Sequence, residues 1–140
     1  MVSVSISDGA PDTPCPDESR ISRMASIVFE GEGRDLEDLS VVFADHDTVL
    51  ALNKEWLEHD WNTDVISFLL EEDPIEGEIY VDVETAAERH VEFGVSLVNE
   101  LERYVIHGML HLCGHDDATD EQRVAMRTLE DRYLDMLNAS

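Results

Sequence analysis

Two histidines four residues apart, His107 and His111, stand in the run His107-Gly108-Met109-Leu110-His111-Leu112-Cys113-Gly114-His115-Asp116-Asp117. On a helix that spacing puts both imidazoles on one face, one turn apart. Tyr104, Val105, Ile106, Met109, Leu110, Leu112 and Cys113 surround them with apolar side chains, the pattern of a buried helix. A buried imidazole is costly without a partner, and a metal ion would satisfy both. Gly114 offers a helix stop, after which the chain can return with a third ligand, His115 or Asp117. Three protein ligands and one open position describe hydrolytic zinc.

A zincin peptidase would read H-E-x-x-H, with the glutamate as general base. Gly108 stands at that position, so such a peptidase would lack its base. An H-x-x-x-H pair alone also arises by chance. The apolar helix, the glycine end and the acidic residue beyond it are what favour a metal site here.

The elements that must position these residues follow from the remaining pattern. Val2, Val4 and Ile6 alternate with serine, a strand period. Asp8 to Pro16, with three prolines and a glycine, reads as a loop. Asp17 or Ser19 caps a helix to about Glu30 with Ile21, Met24, Ile27 and Val28 as its stripe. Leu39 to Ala44 is a buried strand. Asp45 or Asp47 caps a helix to about Leu57, with Val49, Leu52 and Trp56 on one face. His59 to Asn62 reads as a loop and Thr63 to Leu70 as a strand. Glu71 to Glu76 reads as an acidic connection and Gly77 to Val83 as another strand. Asp82 or Thr85 caps a short helix over 84–92, which ends before Gly94. Ser96 caps the histidine helix, with Glu100 well placed for its dipole. Thr119 to Gln122 is a capping box opening the last helix. The expected fold is α+β, one domain over residues 1–140, with about four strands in a mixed sheet and about five helices in a zincin-like arrangement.

These motifs together resemble the YbeY family of metal-dependent endoribonucleases. The common family pattern is H-G-x-L-H-L-x-G-x-D-H; this chain is compatible at ten of eleven positions and departs at the last, where Asp117 replaces histidine. Thr63 to Phe68 is similar to the family's T-D-V-L-S-F strand, and Leu52-Asn53 and Gly77-Glu78-Ile79 match its L-N and G-D-I segments in order. The resemblance spans about residues 40 to 137. It implies a single-strand-specific endoribonuclease in ribosomal RNA maturation, at the 3′ end of the small-subunit RNA, and in ribosome quality control. It also implies RNA and the ribosome as partners. The metal ligands would be His107, His111 and Asp117, with His107 at the catalytic centre, because the family's third ligand lies six residues after the second histidine. One Zn2+ per chain is expected, although nickel or another divalent metal suits the same donors. The family's usual arginine near the L-N pair is here Leu57, and Lys54 and Arg103 are the nearest candidates for RNA contact. A peptidase-like metallohydrolase, or a ribosome-associated module with a structural metal, would be the alternatives.

Composition sets a tension against an RNA partner. The 140 residues carry 33 acidic and 9 basic side chains, a net charge of −24, and Lys54 is the only lysine. Nucleic-acid binders are usually basic, and such a charge repels RNA at low salt. At molar salt the Debye length falls to about 3 Å, so an acid-rich, lysine-poor surface is what a salty cytoplasm would favour. Two cysteines, Cys15 and Cys113, make no disulfide framework, and Cys113 reads as a small hydrophobe. No apolar run reaches membrane-span length and no secretory signal is visible. A cytoplasmic location, with no membrane and no disulfide partner, is expected.

Overall fold

The computed structural model describes residues 1–7, 9–10, 13–57 and 65–139, apart from the side chains of 56 and 57. Its elements are β1 (Val2–Ile6), α1 (Glu18–Gly31), β2 (Leu36–Ala44), α2 (His46–Leu57), β3 (Val65–Glu72), β4 (Ile75–Asp82), α3 (Val83–Glu92), α4 (Leu97–Leu112) and α5 (Asp120–Asn138). The strands form one mixed sheet in the order β1-β2-β4-β3. β1 and β4 both run parallel to β2, and β3 is antiparallel to β4. The expected count of four strands and five helices, and the α+β class, agree with this arrangement.

Alternation along the strands gives the sheet two faces. Leu39, Val41 and Phe43 of β2 and Ile75, Ile79 and Val81 of β4 join the core that also holds Ile21, Val28, Val105, Met109 and Tyr133 from α1, α4 and α5. On the opposite face, Ala44 and Ile66 pack with Val49 of α2, and Phe68 meets Tyr80 edge-on at 5.8 Å. The histidine helix therefore lies on one side of the sheet and α2 on the other.

α4 sits close to the strands because Gly108 has no side chain. A Cβ there would lie 2.7 Å from Ile79 Cγ2 and 3.1 Å from Ser67 Oγ. Ser67 Oγ also donates to the Gly108 carbonyl at 3.1 Å. Position 108 thus faces the sheet, away from the histidines. The helix is capped by Ser96, whose side chain accepts from the Asn99 amide. It closes in a Schellman turn: the Gly114 amide donates to the His111 carbonyl, and the His115 amide to that of Leu110. Gly114 has φ +102°, a conformation costly for other residues.

Three boundaries differ from the sequence expectation. β2 begins at Leu36 instead of Leu39, and α3 opens one residue early, at Val83, on the Asp82 cap that was one of the two expected. The acidic stretch 71–76 is mostly strand, with a tight turn through a cis Asp73-Pro74 bond. Glu71 and Glu72 are exposed at the end of an edge strand; their charges stay in water, so they do not interrupt the ladder. The expected loop at His59 to Asn62, the strand start at Thr63 and Asp64, part of the 8–16 loop and the Trp56 side chain lie outside the described residues.

Candidate metal centre

α4 carries His107 and His111 on its one face turned away from the core. Both are part-buried, and their rings meet edge-on with centroids 4.7 Å apart. Their Nε2 atoms approach to 3.1 Å. The turn at Gly114 brings Asp117 back over them, with Oδ2 3.2 Å from His107 Nε2 and Oδ1 3.4 Å from His111 Nε2. A tetrahedral ion with ligands at 2.0–2.1 Å would separate its donors by about 3.3 Å. The spacing of the three groups fits such an ion. Among the described residues the cluster has three members, which leaves room for a fourth, non-protein ligand.

Two features prepare the histidines. His107 Nδ1 faces Glu130 Oε2 at 2.7 Å. As donor to that carboxylate, Nδ1 carries the proton and Nε2 keeps its lone pair for a metal. Glu130, nearly buried on α5, is itself held by Arg103 Nη1 at 3.0 Å. His111 has its pKa lowered by burial and by neighbouring His107, against the opposing pull of Asp117 and Asp116. It thus favours the neutral imidazole that ligates.

His115 takes another direction. Its Nε2 meets Glu32, which also accepts from the Tyr133 hydroxyl. Burial pushes the Glu32 carboxyl up, but the bonds from Tyr133 and His115 outweigh it and hold it below the usual range. Tyr133 is pushed up to about 12 by burial and by that bond. This cluster, with Arg34 donating to the Cys113 carbonyl at 3.0 Å, moors the back of the loop whose front carries Asp117. Burial raises the Cys113 thiol to about 12, so it stays protonated.

The triad opens into a cleft of about 420 Å³ also lined by Val65, Arg89, Phe93, Glu100, Arg103 and Tyr104, and by Arg123, Met126, Arg127 and Glu130 of α5. Four of the chain's eight arginines line this cleft. Arg103 is committed to Glu130 (3.0 Å) and to Asp131 (2.6 Å). Burial pulls its pKa down, but those two bonds prevail and raise it. Arg123 binds the Asp117 and Ala118 carbonyls at 3.2 Å and pairs with Asp120. Lys54 is exposed on α2 and does not line the cleft.

The other histidines read as surface or loop residues in the sequence. His46 opens α2 with Nδ1 2.6 Å from the buried Asp82 carboxylate, and His90 bonds the Val95 carbonyl. His59 and the Leu57 side chain lie outside the described residues. Glu130 is the site residue that the sequence reading missed. Its signal was present: Met126, Glu130, Tyr133 and Leu137 form one buried stripe of α5, and a carboxylate on such a stripe needs a partner.

A mixed sheet under a two-histidine helix, with a carboxylate closing the triad from the next loop, defines a small α+β protein with a candidate metal site. Residues 17–138 match the family model described as Endoribonuclease YbeY, and the chain belongs to that family. A relative from Salinibacter ruber, named Endoribonuclease YbeY, is 51% identical over 117 residues, covering 76% of this chain and 74% of its own. Another from Chlorobaculum parvum is 34% identical over 125 residues, covering 89% of each chain. The solution structure of TM1509 from Thermotoga maritima is similar at a TM-score of 0.65 and 26% identity, over 98% of this chain and 89% of that one.

Proposed function

We propose that this chain is a metal-dependent endoribonuclease that cuts single-stranded RNA in the maturation of ribosomal RNA precursors, at the ribosome and in the cytoplasm. The observation that carries this reading is the convergence of His107, His111 and Asp117 at the floor of an arginine-lined cleft. Zinc is the metal its two imidazoles and one carboxylate suit best. When bound, it would lower the pKa of a water and polarise a phosphoryl oxygen.

The chain's own residues supply the rest. His107, His111 and Asp117 would hold the ion, and Glu130 keeps the proton on His107 Nδ1. Arg103 fixes Glu130, so its part is positioning more than contact with RNA. Leu57 stands where the family resemblance leads one to expect an arginine for the phosphate, and the cleft offers Arg127 and Arg89 instead. Lys54 could meet RNA only outside the cleft. A peptidase reading is disfavoured by packing: position 108 has no room for a glutamate and faces the sheet. A purely structural metal is disfavoured because His115, the available fourth donor, is turned to Glu32.

Elemental analysis should find about one metal per chain, lost in His111→Ala and in Asp117→Ala, while His115→Ala keeps it. Both metal-losing variants should fail to cleave a single-stranded RNA that the parent cleaves. Retention of metal and activity in both would sink the assignment, and peptide cleavage by the parent would favour the peptidase.

A further inference from the structure

Phe93 caps the end of α3 and is 56% exposed, an unusual place for a large apolar residue. It lines the same cleft as the metal triad. Arg89 lies four residues earlier, on the same side of the helix end, and also lines the cleft, as does Arg127 from α5. Arg127 is exposed and has no ion-pair partner among the described residues. Val91, Val95 and Val98 are exposed in the same region but do not line the cleft.

An aromatic face between cations is what single-stranded nucleic acid requires. A base stacks on the ring, and guanidinium groups take the flanking phosphates. Duplex RNA keeps its bases stacked inside and has no free face to offer. Local cations matter more here than in most proteins, because the remaining surface is strongly acidic.

We infer that Phe93 and Arg127 form a nucleotide subsite beside the metal centre, in which Phe93 stacks on an unpaired base and Arg127 holds a neighbouring phosphate. This rests on the endoribonuclease reading and names which wall of the cleft selects unpaired RNA. Arg103 and Arg123 are already bonded within the protein, whereas Arg127 has no ion-pair partner among the described residues.

The test uses the whole chain with chelator present and a 2′-O-methyl single-stranded oligonucleotide carrying one 2-aminopurine, so that binding is read without cleavage. Phe93→Ala should weaken binding about tenfold and abolish the quenching of 2-aminopurine, whereas Phe93→Trp restores both. Arg127→Ala should weaken binding across all sequences and lower the salt slope by about 0.7, one phosphate contact on a single strand. Because Phe93 and Arg127 are exposed, melting temperatures should match the parent. If the parent cleaves and binds RNA but Phe93→Ala binds and quenches as the parent does, the subsite is wrong while the endoribonuclease reading stands. Phe93 would then belong with Val91, Val95 and Val98 to a surface for a protein partner. If the parent neither binds nor cleaves single-stranded RNA, both readings fall.

Discussion

Glu130 shows how much of a site can rest on a residue outside the triad itself. Its carboxylate bridges His107 Nδ1 and Arg103 and is almost excluded from solvent. Removing it frees the His107 ring to turn and leaves Arg103 with Asp131 alone. Glu130→Ala should therefore cost 10–100-fold in metal affinity, the usual effect of groups that orient a ligand. Glu130→Gln, which can still accept from Nδ1, should lose less. A metal titration of the two variants checks this order, and equal affinity in parent and alanine variant would contradict it. The pairing of His107 and His111 was legible because i, i+4 spacing on an apolar helix is a local signal. Asp117 needed the family's spacing as well, which favoured it over His115; in the structure the His115 ring turns toward Glu32.

The helices and strands were legible for the same reason and only to the same extent. Caps at Asp17, Ser96 and Thr119, and the stripes that follow them, are written within a few residues. The β3–β4 hairpin was not, because its acidic end looks like a loop when the exposure of an edge strand is unknown. Nor was the strand order, since β2 pairs with β4 across the chain segment that holds α2 and β3. The seating of α4 is one of the closest of these element contacts. Gly108→Ala would place a methyl 2.7 Å from Ile79 Cγ2 and force the helix off β4. A loss of about 1–3 kcal/mol is expected from such overpacking, measurable by denaturant unfolding. A neutral effect would mean that Ile79 can turn aside. The same move would carry His107 with it, so metal affinity should fall alongside stability.

At the scale of the molecule, charge is divided unequally. Thirty-three acidic side chains face nine basic ones, and half of the arginines line one cleft. Repulsion among the remaining carboxylates opposes compaction in dilute buffer. Potassium chloride at molar strength should therefore raise the melting temperature, as the Debye length falls from about 10 Å at 0.1 M to about 3 Å at 1 M. A melting temperature that is flat or falls over that range would refute the idea that the surface is suited to a salty cytoplasm. Screening also decides how RNA is met: remote carboxylates fade at high salt, while cations in direct contact with phosphate still act.

The separation of Glu130 from the triad along the chain has a further consequence for a protein made from one end. His107, His111 and Asp117 all precede α5, and Glu130 comes thirteen residues after Asp117. A nascent chain thus displays three donors before it has made the carboxylate that aims one of them. Until α5 is synthesised and docked, His107 is free to adopt either tautomer. Metal capture at full affinity is therefore expected only of a chain that has made and docked α5.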